Sequence, residues 1–282
     1  MNTRILILLF QCRDRKGIVA KISDFIFRHG GNIITADQYS TDPQAGHFFM
    51  RVEFQVKDSP CTVASLERAL ASIAKRFRAQ YKIYDRDKRL RMGIMVSAAD
   101  HCLMDLLYLW RSGELRADIP FVLSNYPRHQ EIVEQFNLPF YFIPAHKRDR
   151  REKDILKIIS PASDFLVLAR YMLVLSSNFL KKYGKDIINI HHGFLPSFKG
   201  ADPYRQALEK GVKVIGATAH FVDNKLDAGP IISQEVEYVS HKDDLSSLIR
   251  KGRNLEKQAL ADAVFSYIQR RVIRYANKTI VF

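Results

Sequence analysis

The spacing of apolar residues changes character about a third of the way along the chain. Arg4–Gln11 is an almost unbroken Ile/Leu run and predicts a buried strand. Ile18, Ile22, Phe25 and Ile26 then recur at helical spacing, behind Asp14 as a candidate cap and ahead of the Gly30-Gly31 pair, which can end a helix in the left-handed conformation. Ile33–Ser40 and His47–Val56 read as strands around a turn at residues 42–46. Thr62–Phe77 reads as a second helix with Leu66, Leu70 and Ile73 inward, and Tyr81–Tyr84 as a last short strand. Strand, helix, strand, strand, helix, strand in 84 residues is the split βαβ, ferredoxin-like pattern.

A charged linker at residues 85–91 separates this module from the rest. From residue 92 to 282 short apolar runs alternate with amphipathic segments. Strands are expected at Met92–Val96, Ile119–Ser124, Phe140–Ile143, Phe165–Ala169 and Ile187–His191. Helices are expected at Cys102–Trp110, His129–Phe136 and Lys153–Ile159. Alternation of this kind implies an α/β domain with a mostly parallel sheet covered by helices, the Rossmann-like arrangement. A longer strand pair (Lys213–Val222, Pro230–Val239), a long helix (Leu245–Arg270) and a terminal hairpin complete the prediction.

Composition narrows the function classes. The net charge is +14, with +5 in residues 1–87 and +9 in the remainder, and only short basic clusters such as Lys147-Arg148-Asp149-Arg150-Arg151. An excess spread this evenly fits a basic enzyme with an anionic small-molecule ligand better than a nucleic-acid binder. The first apolar run, Ile5–Phe10, is too short for a signal-peptide core or a membrane span, and no uncharged run reaches 18 residues. Cys12, Cys61 and Cys102 form no paired framework, which fits a reducing compartment. A soluble, cytoplasmic protein is expected.

Polar chemistry concentrates in residues 187–235. Asn189 and His191 alternate along one strand and so share a side, at the carboxyl end of a sheet strand where open α/β sheets bind ligands. A neutral amide donor beside an imidazole that titrates near neutrality suits polarisation of a carbonyl and stabilisation of an oxyanion. Asp227 lies in a polar loop with small neighbours, placed to orient a water or, with a raised pKa, to accept a proton. The structural alternatives are a turn-capping Asn189, a satisfied core His191 and a turn aspartate bonded to its own backbone. No metal is expected, because adjacent strand residues His191 and His192 face opposite ways and nearby ligands are lacking.

The segments NIHHGFLPSFKG (189–200) and HFVDNKLDAGPIISQE (220–235) together resemble the formyltetrahydrofolate-dependent formyltransferase superfamily. The resemblance implies Asn189, His191 and Asp227 as the catalytic group. The run LARYMLVLS (168–176) is similar to the segment lining the pterin pocket there, which implies Met172, Val174 and Leu175 as substrate-binding residues. At the front, QCRDRKGIV (11–19) and GGNI (30–33) resemble an ACT regulatory domain, with Arg13 where proline is usual. ACT followed by a formyltransferase-like domain is the layout of the formyltetrahydrofolate deformylase family, which DHCL (100–103) and WRSGEL (110–115) also resemble; Gly193 departs from its usual serine. The implied reaction is hydrolysis of 10-formyltetrahydrofolate to formate and tetrahydrofolate, supplying formate for purine synthesis without a cofactor beyond the folate substrate. The implied regulatory ligand is a free amino acid near Asp14, Gly17 and Asn32, in a homo-oligomer (dimer or tetramer). Ser97-Ala98-Ala99-Asp100 replaces the Gly-Ser-Asn phosphate loop of purine-pathway transferases, and its carboxylate argues for water as acceptor. Two alternatives stay open: a formyltransferase with an amine acceptor, and a non-catalytic ACT sensor of an amino acid or folate.

Overall fold

A computed structural model describes residues 3–42, 46–57, 62–197 and 202–282. Cys61, the tip of the turn after Asp42 and the Lys199-Gly200 end of the first motif lie outside them. Two compact units result. One comprises Met1–Arg89 with Gln269–Ile273 and Ile280–Phe282, and the other Leu90–Ile268 with Arg274–Thr279.

In the first unit the order is β1 (Thr3–Arg13), α1 (Ile18–Arg28), β2 (Gly31–Ser40), β3 (His47–Lys57), α2 (Val63–Phe77) and β4 (Gln80–Asp85). The four strands form an antiparallel sheet in the order β2-β3-β1-β4. Alternation along β1 sends Leu6, Leu8 and Phe10 into one core with Ile18, Ile22, Phe25 and Ile26 of α1 and Leu66, Leu70 and Phe77 of α2. Ile73 is only partly buried against that core. Thr62 caps α2 by accepting from the Ser65 N–H at 3.1 Å. Asp14 does not cap α1: Gly17, at φ 90°, occupies the cap position, and the Asp14 carboxylate accepts from Ser40 Oγ at 2.5 Å. The last residues of the chain were expected in the second domain, yet two short pieces of them belong here. The buried Arg51 guanidinium of β3 donates to the carbonyls of Gln269 and Arg270, both at 3.2 Å, and Arg270 lies over the Tyr84 ring.

The second unit runs β5 (Leu90–Val96), α3 (His101–Arg111), β6 (Ala117–Asp118), β7 (Val122–Ser124), α4 (Gln130–Glu134), β8 (Phe140–Phe142), α5 (Glu152–Ala162), β9 (Phe165–Leu168), α6 (Ser177–Tyr183), β10 (Ile187–His191), α7 (Pro203–Glu209), β11 (Val214–Phe221), β12 (Ile231–Tyr238) and α8 (Leu245–Ile268). A hairpin of β13 (Val272–Tyr275) and β14 (Lys278–Val281) ends the chain. The main sheet has the order β12-β11-β10-β9-β5-β7-β8, parallel from β10 to β8 and antiparallel at β11 and β12. Helices α5 and α6 pack together over one core containing Ile155, Ile159, Phe179 and Tyr183, whereas α8 packs against β10, β11, β12, α3 and α7. From β5 the chain proceeds outward through β7 and β8, then returns to build β9 and β10 on the other side. The order therefore reverses between β5 and β9, and a crevice opens at the carboxyl ends of those strands. No helix among the described residues is long and apolar enough to cross a membrane.

Candidate active site

That crevice is a cavity of about 320 Å³ at the ends of β9 and β10. Its walls come from three places: the segment Arg170–Leu175 after β9, Asn189–His192 at the end of β10, and His220 with Val222–Asp227 at and after the end of β11. The sequence-predicted Asn189, His191, Asp227, Met172, Val174 and Leu175 all line it. Met172 and Val174 are about half exposed to it, and Leu175 is partly packed on the α5–α6 core.

Antiparallel pairing of β10 with β11 sets Asn189 opposite His220 and His191 opposite Thr218. The β11–β12 loop is pinned at its base, where Phe221 N–H donates to Pro230 O at 2.9 Å. A Cβ on Gly229 would fall 1.8 Å from the Phe221 carbonyl, so only glycine lets the strands close there. The loop turns back through Asp227, whose φ of 50° is a left-handed conformation that aspartate tolerates better than most residues. Its carboxylate then meets His191, with Oδ2 3.2 Å from Nδ1, while Oδ1 lies 3.8 Å from His220 Nε2. Asn189 Nδ2 donates to His220 Nε2 at 3.2 Å, and His220 Nδ1–H donates to the Phe221 carbonyl at 2.9 Å. This pattern fixes His220 as the neutral tautomer with an acceptor Nε2. Burial lowers the His220 pKa, consistent with that state. Burial alone would raise the Asp227 pKa, but the hydrogen bond and charge of His191, with smaller contributions from the neighbouring His220 and His192 rings, outweigh it and hold the carboxyl below its usual value. Asp227 is thus an ionised hydrogen-bond acceptor. The raised pKa that proton abstraction by Asp227 would need is not found.

Residues that sequence reasoning left aside hold this arrangement in place. Thr218, fully buried, donates to Gly193 O at 2.9 Å and accepts from Leu195 N–H (3.1 Å) and Gln234 Nε2 (3.0 Å), clamping the turn that follows His191. The Arg170–Leu175 wall is anchored at both ends. Ser97 Oγ accepts from Met172 N–H at 2.9 Å and its N–H donates to Arg170 O at 3.2 Å, while Glu152 accepts from the N–H and hydroxyl of Ser176. Behind the cavity, Glu256 on α8 is almost fully buried and accepts from His101 Nε2 (2.8 Å) and Tyr204 Oη (2.7 Å), with Arg170 Nε 3.3 Å away. Desolvation would raise the Glu256 pKa, but these partners outweigh it and keep the group ionised. Burial and the Arg170 charge push His192, beside the catalytic candidates, down to about 3. The signal for His220 was its place in the strand next to Asn189. Glu256 gave none, since nothing local marks a helix glutamate as buried.

His101, Cys102 and Glu256 are close enough to be considered as metal ligands. The chemistry of the cluster disfavours a cation: Glu256 already serves two donors, the Arg170 guanidinium supplies the positive charge, and burial keeps Cys102 protonated.

In the first unit a cavity of about 400 Å³ is lined by Asp14, Gly17, Gln38, Tyr39 and Ser40 among others. Asn32 is not among its residues. It follows the far end of α1, and a helix of 11 residues separates its two ends by about 16 Å.

Comparison with known proteins gives this architecture its family. The profile of the formyl transferase family matches residues 90–264, and that of the ACT domain matches residues 6–70. Formyltetrahydrofolate deformylase of Bacillus subtilis is 45% identical over 278 residues, covering 98% of this chain and 93% of that protein. The chain belongs to the formyltetrahydrofolate deformylase family. The crystal structure of a formyltetrahydrofolate deformylase from Pseudomonas syringae pv. tomato superimposes with a TM-score of 0.95 at 41% identity, covering 100% of this chain and 95% of that one. A glycinamide ribonucleotide transformylase from Symbiobacterium toebii matches 71% of this chain and 97% of its own, with a TM-score of 0.66 at 26% identity. That transformylase is matched over nearly its whole length by about seven tenths of this chain, in keeping with the formyl transferase match to residues 90–264.

Proposed function

We propose that the protein hydrolyses 10-formyltetrahydrofolate to formate and tetrahydrofolate, with Asn189, His191 and Asp227 as the catalytic group. The observation that carries the assignment is the ionised Asp227 bonded to His191 beside Asn189, in the cavity that the apolar Met172–Leu175 segment also lines. Asp227 Oδ2 orients His191 and Oδ1 holds the attacking water. Water adds to the formyl carbon as its proton passes to His191 Nε2, whose Nδ1 is held by Asp227. One Asn189 N–H serves His220, and the second, with His191, stabilises the oxyanion. The C–N bond breaks as the folate nitrogen takes a proton relayed through His191, and formate leaves. The Asp227 charge stabilises the imidazolium formed on the way. No step calls on a metal, and Met172, Val174 and Leu175 hold the pterin with help from their backbone.

Water is favoured as acceptor because Asp100, at the start of α3, keeps an exposed carboxylate with no capping bond, where an acceptor phosphate would meet repulsion. Formate released in step with tetrahydrofolate, with no amine present, tests this reading. Formate formed only with an added amine favours the transferase, and folate binding without turnover favours the sensor.

The first unit fits a regulatory role. Asp14 and Gly17 line a cavity of amino-acid size, and a single amino acid bridging Asp14 and Asn32 requires Asn32 from a second copy. Phe27 (78% exposed), Ile34 and Tyr39 on and around edge strand β2 favour such self-association. We place the protein in the cytoplasm, where its free buried Cys12 and Cys102 stay reduced, and its formate supplies purine synthesis.

A further inference from the structure

One histidine of the cavity wall has no task in the hydrolysis. Strand β10 ends at His191, so alternation no longer turns the next residue away, and His192 lines the same cavity as Asn189, His191 and Asp227. Its ring stands 5.3 Å from that of His191 and 6.1 Å from that of Tyr204, centroid to centroid. Neither ring nitrogen makes a hydrogen bond or an ion pair among the described residues. Nor is either sealed off: among those residues, the buried side-chain nitrogens without a partner are Nε and Nη1 of Arg170 alone. The second hollow that His192 lines, against α7 and β11, measures about 10 Å³ and holds one water at most. The free polar edge of the ring is therefore available to a guest of the 320 Å³ cavity.

The groups around the ring keep it neutral. Arg170 after β9 and His191 oppose a charge on it, Glu256 of α8 and Asp227 favour one, and burial with the Arg170 charge outweighs them. Tyr204 of α7 is uncharged, its phenol raised by burial and by Glu256. A neutral imidazole offers one N–H and one acceptor nitrogen, and His192 keeps both across the range where an ordinary histidine titrates. It does not carry protons, but it is a fixed donor of the kind that polarises a carbonyl. Hydrolysis needs such a donor at one moment. While water adds, His191 Nε2 accepts the water's proton and has no N–H there for the forming oxyanion. Asn189 has a single N–H left for it, the other being given to His220. We propose that His192 is a further catalytic residue, donating its ring N–H to the formyl oxygen beside Asn189 as the tetrahedral oxyanion forms. This role rests on the hydrolytic reading above.

The test compares formate release from 10-formyltetrahydrofolate by the full-length wild type, His192→Ala, His192→Phe and His192→Gln. His192→Phe keeps a ring without a donor, and His192→Gln keeps a neutral N–H without the ring. His192→Ala and His192→Phe are expected to lose about 10²-fold in kcat, the scale for one oxyanion donor, with KM within about threefold of wild type. His192→Gln is expected to run about tenfold faster than His192→Ala. The limbs of the kcat profile between about pH 5 and 9 keep their positions in all three variants, because His192 stays neutral there. Calorimetry with tetrahydrofolate shows which variants keep the pocket. Where His192→Phe does not, the contrast between His192→Gln and His192→Ala decides alone. Wild-type kcat in a His192→Phe that binds tetrahydrofolate, or His192→Gln no faster than His192→Ala, overturns the donor role. A pH limb lost with the imidazole overturns it in favour of a proton carrier. No formate from a wild type that binds tetrahydrofolate refutes the hydrolase reading and, with it, this role.

Discussion

Replacing Asp227 by asparagine removes a charge while keeping the side chain's shape. It also keeps the loop, because asparagine tolerates the left-handed φ of 50° that alanine would adopt only under strain. The amide oxygen can still accept from His191 Nδ1 at the observed 3.2 Å, so the imidazole keeps its orientation. What disappears is the charge facing the imidazolium. At that separation Coulomb attraction amounts to about 5 kcal/mol with an effective dielectric of about 20. Because the imidazolium is partly solvated through the open cavity, about half to all of this is expected to reach the barrier. The corresponding loss in kcat is about 10²- to 10⁴-fold, the range found for positioned acids and bases. The assay is single-turnover formate release, with tetrahydrofolate binding followed by calorimetry to show an intact pocket. Turnover within a factor of about three of wild type, with binding preserved, would refute the assignment of Asp227 to the reaction.

Three further outcomes follow from the packing around the site. Thr218→Val leaves the Gly193 carbonyl and the Leu195 N–H without their buried partner and should cost about 2–4 kcal/mol in urea unfolding; an unchanged midpoint would show that water or a shifted turn replaces the hydroxyl. Glu256→Gln strands the Arg170 guanidinium beside a neutral amide and should destabilise the fold by about 3–5 kcal/mol, with no loss in Cm as the contrary result. The folded-state pKa values of His192, His220, Asp227 and Glu256 all lie below their ordinary values. The unfolded chain therefore binds more protons in acid, and their contribution is intact above about pH 6.5 and lost as the pH falls through the folded values, His192 last at about 3. Stability measured from pH 7 to 4 should fall steadily, and NMR should find His192 neutral throughout; a His192 titrating near 6.5 would contradict the burial and Arg170 argument.

Much of this fold was legible because burial repeats at a fixed period. Ile187–His191 forms the strand expected from its isoleucine-rich run, and both helices of the first unit match their i, i+3, i+4 stripes. Elements whose ends depend on tertiary contacts were less legible. The strand expected at Ile119–Ser124 begins only at Val122; Ile119 and Phe121 ahead of it are buried, and Phe121 joins β5 only through its carbonyl, which accepts from Ile94 N–H at 3.3 Å. The terminal residues joined the first unit through the buried Arg51, which no local pattern marks. At the site, alternation along β10 and the Asp227 loop motif pointed to the right cavity. The lowered pKa of Asp227 did not follow from sequence, since the hydrogen bond from His191 that outweighs burial forms only through the tertiary fold. Asp14 shows the converse: its residue type suits a helix cap, yet Ser40, 26 residues away, takes its carboxylate.

The central claim is that water, held at the cavity floor by ionised Asp227, is the nucleophile that takes the formyl group. Single-turnover hydrolysis of 10-formyltetrahydrofolate in ¹⁸O-labelled water, without any amine, tests it most directly. The account predicts stoichiometric formate carrying one ¹⁸O, none in the protein, and the same labelling at a rate lowered about 10²-fold or more in Asp227→Asn. Unlabelled formate, label in the protein, or formate only after an amine is added would contradict it.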